Sequence, residues 1–408
     1  MTAAPTSEGR SIPLARESAG LAAYVRVLRR PHARRLVSTA LIGRLPGGMV
    51  TLSILLLVRD TTGSYGVAGA VAGANGVASA LGQPLQGRLI DRVGQPRVLL
   101  PASAVFAISF PALALASHPA VLVALGIVSG LAFPALASGL RVLWPDLIDG
   151  DEGLQTAYAL DAAVQQLMLV GGPLIVAVVA AAGPPWLLAV VAAALALLGT
   201  AAFATTPVSR EWRGRLVATH YAGPLRASAI RVLVLATVLG GITFGWLVVT
   251  ATAFAEAEGS AAASGLMIAC WSAGGVTAGL LYGARTWPGP AHARYVSLAV
   301  LLAVATAAPA LAGSLPAMAL AMLIAGCAFG PWQATSFLLV DLHAPAGTAT
   351  EAFAWMVTGV NAGVAAGAAL AGPLIEGRGI DAALVTAPVG AAAGAALLAF
   401  GGRALRAR

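Results

Sequence analysis

Apolar residues do not alternate with polar ones in this chain; they come in long runs. A window of about 20 residues, the length of helix that crosses a bilayer, finds such runs at 36–58, 66–87, 97–117, 120–143, 156–181 and 185–206. After a polar segment at 207–229 six more follow, at 230–255, 261–284, 295–313, 316–340, 350–374 and 382–402. Backbone surrounded by lipid must satisfy its own hydrogen bonds, which helices do within one segment. The pattern therefore predicts an all-α integral membrane protein of twelve transmembrane helices. It divides into a tail (1–35), a six-helix bundle (36–206), a linker (207–229), a second six-helix bundle (230–402) and a short C-terminal tail (403–408).

The two bundles echo each other. "GLAFPA" at 130–135 faces "GCAFGP" at 326–331, "AYALDAAV" at 157–164 faces "AFAWMVTG" at 352–359, and "GPLI" occurs at both 172–175 and 372–375. Similar pieces returning in order at a nearly constant offset are the mark of an internal repeat, so the bundles are expected to be pseudo-symmetric copies of one six-helix unit.

Composition agrees with the hydropathy pattern and charge orients it. The chain is 59% hydrophobic and 10% charged, more apolar than the roughly 45–50% of soluble domains. All 24 basic residues are arginine, and the net charge is +8. A basic balance can signal nucleic acid, but in a membrane protein Arg in short loops marks the cytoplasmic side. With the N-terminus inside, 21 of the 24 arginines fall in cytoplasmic segments, Arg141 among them. Both termini are thus expected in the cytoplasm of a bacterial cell, the chain in its inner membrane, and no nucleic acid as partner. The N-terminal tail lacks the apolar segment of a signal peptide and is expected to carry a surface-lying helix around 21–30. Cys270 and Cys327, without metal or redox spacing, are expected to be buried free thiols. No metal or cofactor is implied, and without GxxxxGK[ST] there is no sign of an ATPase.

The sharpest motif is "GRLIDRVGQPR" at 87–97. Gly87 allows close helix approach and Gly94 a turn with positive φ. Asp91 can meet the positive N-terminus of a helix from the other half. Arg92 and Arg97 can pair with carboxylates or anionic headgroups. Gly87-x-x-x-Asp91-Arg92-x-Gly94-x-x-Arg97 resembles the loop 2–3 signature of the major facilitator superfamily, departing from it at Gln95 and Pro96, where basic residues are usual. The resemblance implies two six-helix halves that rock about a midplane site, with this loop as a cytoplasmic latch closing the outward-facing state. A Gly-Pro pair in the fifth span, Gly172-Pro173, resembles the corresponding helix of drug/proton antiporters, though the further glycines of that pattern are missing.

Ionisable residues inside a span are costly and functional candidates by default. Arg44 in the first span and Asp161 in the fifth are expected to pair, as a gate or proton-linked switch or as simple mutual neutralisation. Glu256, next to Glu258 at the end of the seventh span, is a further coupling candidate, while Asp341 and Glu351 read as solvated caps. If spans 1, 4, 7 and 10 line a cavity, as the resemblance implies, Phe133, Trp246, Trp332 and Gln333 line it, with Asn75, Gln165 and Asn361 adding hydrogen-bonding groups. Aromatics with few amides suit a bulky amphipathic solute better than a sugar. The expected function is secondary transport, proton-coupled efflux of an amphipathic drug or metabolite by a monomer, with no enzymatic activity. Proton-coupled uptake and a non-transporting membrane sensor are the alternatives.

Overall fold

The chain's structure, a computed structural model, describes residues 20–214, 222–260 and 263–406. The first 19 residues of the expected N-terminal tail and part of the linker lie outside the described residues. Every element in the described residues is helical, and their breaks fall where the sequence forces them. Span 1 runs from Ala33–Arg44 into Pro46–Thr62, split at Pro46 because proline clashes with the preceding turn. Gly63 ends it in the left-handed region at φ 69°, and the Ser64 hydroxyl caps span 2, Tyr65–Val93, by accepting from the Val67 N–H. Gly94, at φ 91°, turns the chain into span 3, Gln95–Ala112.

Span 4 begins as Pro119–Ala132, unwinds over Phe133 to Ala135 around Pro134, and resumes as Leu136–Arg141 and Trp144–Leu147. Spans 5 and 6 are Asp151–Ala182 and Trp186–Ala204. The second half holds Ser228–Ala257, Ala263–Gly283, Ala291–Ala305 and Leu315–His343 as spans 7 to 10. One continuous stretch, Ala349–Thr386, contains span 11 and the start of span 12; Gly379 breaks it at φ 84°, and span 12 continues into Pro388–Gly401.

Eleven helical stretches among the described residues are long and apolar enough to cross a membrane. Span 2 completes the twelve: its 29 residues extend about 43 Å at 1.5 Å per residue, while glycines, Asn75, Gln83, Gln86 and a charged end dilute its hydropathy. The chain is a multi-pass membrane protein.

Corresponding helices pair alike in the two halves. Span 2 packs on span 4 as 8 does on 10, span 1 on 5 as 7 on 11, and span 3 on 6 as 9 on 12. Small residues permit the close crossings, as membrane helix interfaces require. Gly172 lies on Gly48, where a Cβ would sit 2.5 Å from backbone, and Gly363 lies on Gly241 in the equivalent place of the second half. This gives Gly172 a packing role of its own. Gly372, in the repeated "GPLI", has open space around it.

The halves touch mainly through span 2 against 11 and span 5 against 8, with span 5 also meeting span 10. Most of the polar bonds across this seam lie towards the end that carries the 87–97 turn, and one, between Thr358 and Ala80, lies near mid-span. Thr358 donates to the Ala80 carbonyl at 2.7 Å and Thr156 to that of Gly283 at 2.6 Å. The Gln155 amide reaches the carbonyls of Tyr282 and Arg285. The surface helix, Leu21–Arg29, adds the Tyr24 hydroxyl, which donates to the Leu280 carbonyl at 2.6 Å. Burial raises the pKa of that phenol, so it keeps its proton at any physiological pH.

Two expectations are corrected here. Cys270 and Cys327 are free but only half-buried, since a face turned away from the helix bundle needs no protein cover in lipid. Arg141 is not a loop residue: span 4 resumes after its break and carries the side chain into the interior, where it is fully buried.

Candidate functional site

At the arginine-rich end, Asp91 is buried at the junction of spans 2 and 11. Its carboxylate oxygens accept from the backbone N–H groups of Thr350 and Glu351 at 3.1 and 3.0 Å. These are the first turn of span 11, where unpaired N–H groups and the helix dipole both favour an anion. Gly87 lies against the same turn; a Cβ there would come within 2.9 Å of the Glu351 Cα. The ion pair beside it comes from a residue the motif reading passed over. Arg88 donates through Nε and a terminal nitrogen to both Glu351 oxygens, at 3.0 and 2.6 Å. Glu351 is therefore no solvated cap: its side chain is 4% exposed and forms a forked pair, the stronger geometry for arginine and carboxylate. Arg92 and Arg97, expected to do this pairing, are exposed: Arg92 stands one helical turn beyond Arg88, and Arg97 belongs to span 3.

Deeper in the first half, the expected pair forms and gains a third member. Arg44 donates to Asp161 at 2.6 Å, and Arg141 donates to the other carboxylate oxygen, also at 2.6 Å. Both arginines share the Gln165 carbonyl, at 3.4 Å from Arg44 and 2.6 Å from Arg141. The Arg141 guanidinium also lies 3.7 Å over the Phe337 ring of span 10, so the centre touches the other half. The bend after Leu45 and the break at Pro134 sit beside these arginines. Two cations and one anion are gathered where water has little access.

The other cavity candidates are dispersed. Asn75 donates to the Gly126 carbonyl and the Ser129 hydroxyl, which seals span 2 to span 4 and leaves its amide nitrogen no role in a cavity. Trp332 stacks on Tyr295 inside the second half, and Gly240 makes room for its ring. Trp246 donates to the Ala383 carbonyl at 2.7 Å, a tie to span 12. Asn361 is exposed, because span 11 turns that position away from its neighbours, and Glu256 is exposed at the far end of span 7. Phe133 packs edge-on to Phe106 at the break in span 4. Gln333 is buried with its carbonyl oxygen unpartnered. The aromatic contact that does form, Phe244 with Trp271 and Phe329, includes Trp271, which had not been singled out.

A family model described as Major Facilitator Superfamily matches residues 36–368. The chain belongs to the major facilitator superfamily. The superfamily fold is equally plain in solved structures. The human organic anion transporter MFSD10 (TETRAN) matches with a TM-score of 0.71 at 20% identity, over 90% of this chain and 100% of that one. A bacterial homologue of the iron transporter ferroportin, in an outward-facing state, matches with 0.73 at 13% identity, over 91% and 99%. The proton:xylose symporter XylE, bound to 6-bromo-6-deoxy-D-glucose, matches with 0.68 at 13% identity, over 89% and 94%. No curated protein sequence matches. At these identities the likeness is one of fold, and the superfamily makes the chain a secondary transporter.

Proposed function

We propose that the chain works by alternating access and exports an amphipathic small molecule in exchange for protons. The observation that carries this reading is the one-sided closure between the halves. Polar contacts across the seam gather towards the arginine-rich end, apart from the mid-span bond of Thr358 to Ala80, and they are few and exchangeable. Asp91 on the span 11 N-terminus and Arg88 on Glu351 act as the latch, with Gly87 and Gly94 letting the helices come close enough. Arginine bias assigns that end to the cytoplasm of a bacterial inner membrane, so the closed form is the outward-facing one.

Asp161 is the proton carrier in this scheme. Ionised, it holds two guanidiniums together; protonated, it leaves them unopposed in a low-dielectric interior, where like charges repel strongly. The centre must then rearrange, and through Phe337 the rearrangement reaches the other half. Glu256, exposed at the opposite end, lacks such a link. The aromatic faces along spans 7, 8 and 10 favour a bulky amphipathic body. Gly172-Pro173 supports export, as in the antiporters it resembles.

Accumulation of a compound panel in host cells with and without the protein, and with and without a protonophore, tests the proposal. Export predicts lowered accumulation that the protonophore abolishes. Raised accumulation would instead mean uptake.

A further inference from the structure

We infer that the Arg44–Arg141–Asp161 centre is a receptor for an anionic group of the carboxylate class, the charged end of the solute under the transport reading proposed above. Two arginines converge on one carboxylate, each at 2.6 Å. Arginine stays protonated in proteins, and Gln165 is neutral. With Asp161 ionised the centre therefore carries one uncompensated positive charge. Asp161 is the one carboxylate that either guanidinium meets in an ion pair among the described residues.

This charge is not placed where solvent could neutralise it. The side chains of Arg44 and Arg141 are 4% and 1% exposed, and Arg141 is covered on one face by Phe337. A buried unpaired charge is strongly unfavourable. Holding one aspartate in place would need one arginine, so the second is in excess of any structural need. A monoanion set against the pair brings the centre to neutrality. Arginine also suits such a ligand: each guanidinium has five donors, and the bonds to Asp161 and Gln165 use two on each side chain. Gln165 is the partly open member of the group, and its amide nitrogen has no partner among the described residues, so it can donate to the same ligand.

The charge count has a consequence for energy coupling, which rests on the export reading. The loaded centre, with Asp161 ionised, is neutral, and the empty centre that returns with a proton on Asp161 is +2. A membrane potential negative inside draws the empty carrier back towards the cytoplasm and does not act on the loaded step.

The test is binding to the purified full-length chain in lipid nanodiscs, with no gradient present. Naphthalene-2-acetate is compared with its primary amide and with 2-(2-naphthyl)ethylammonium, which share the ring and differ in charge. The acid is expected to bind at least tenfold more tightly than either. Arg44→Gln should remove this preference, whereas Arg44→Lys, which keeps the charge, should retain it. A structural role for Arg44 would not separate Gln from Lys at equal thermal stability. Absence of acid preference in the wild type, whether through equal binding or none, overturns the inference, and so does full preference in Arg44→Gln. An acid that binds with preference but never crosses proteoliposome membranes at either polarity leaves the anion site standing and removes the transport reading.

Discussion

Asp91→Asn should open the cytoplasmic end without unfolding the protein. The carboxylate accepts from two backbone N–H groups, at 3.1 and 3.0 Å, on the first turn of span 11, and is 5% exposed. A buried hydrogen bond to a charged group contributes about 1.5–3 kcal/mol, and a partly buried charge at a helix terminus up to about 2 kcal/mol. The two figures overlap, because the bonds and the dipole are one interaction seen in two ways. Asparagine keeps one acceptor oxygen but turns an N–H₂ towards a backbone donor, so about 2–3 kcal/mol of the closed form should be lost. At about 1.4 kcal/mol per tenfold, the balance between closed and open should shift about 30- to 150-fold towards open. Spin labels at Arg97 and Arg285, exposed residues of opposite halves, with Cys270 and Cys327 replaced, would report the distance distribution by dipolar spectroscopy. A longer-distance population should grow in Asp91→Asn, while the melting temperature stays close to wild type. An unchanged distribution, with wild-type transport, would refute the latch role.

Other outcomes follow from the same geometry. Arg88→Gln and Glu351→Gln should each weaken closure, with a coupling energy of about 1 kcal/mol in a double-mutant cycle, kept small because the Arg88 side chain is 32% exposed and therefore screened. Asp161→Ala strands two buried arginines and should lower stability by about 3–5 kcal/mol, read as a fall in melting temperature in detergent; adding Arg44→Gln should recover part of it. Gly172→Ala drives a methyl into the Gly48 backbone and should lower both stability and transport, whereas Gly372→Ala, in the same tetrapeptide but facing open space, should be close to neutral. Equal effects of the two glycine substitutions would contradict the packing role.

Much of this architecture was legible in the sequence, for definite physical reasons. Lipid imposes a length and a polarity on every span, so all twelve could be read from the runs of apolar residues, span 2 being the most diluted by polar ones. Asp91 could be placed at the seam because its motif resembles the superfamily's loop 2–3 signature, and a carboxylate there suits the N-terminus of a helix from the other half. The Arg44–Asp161 pair was legible because charge is scarce inside spans. What could not be read depends on helix rotation and on helix ends. Arg88 and Arg92 stand four residues apart on one helix face, and only the packed structure shows which of them is level with Glu351. Arg141 looked like a positive-inside residue because hydropathy does not reveal that span 4 breaks at Pro134 and resumes. A proline in mid-span followed by an arginine seven residues on was the available signal. Asn75 and Trp332 were misread as cavity residues because a polar or aromatic side chain that seals two helices looks, in sequence, the same as one that waits for a ligand.

The central claim is that a proton on Asp161 drives export, and its most direct measurement is transport in proteoliposomes with the potential clamped at zero by potassium and valinomycin. With naphthalene-2-acetate inside, the account predicts efflux that rises when the outside is made acid, and a loss of that dependence in Asp161→Asn. Efflux that rises instead when the inside is made acid, or that ignores pH in the wild type, would contradict it.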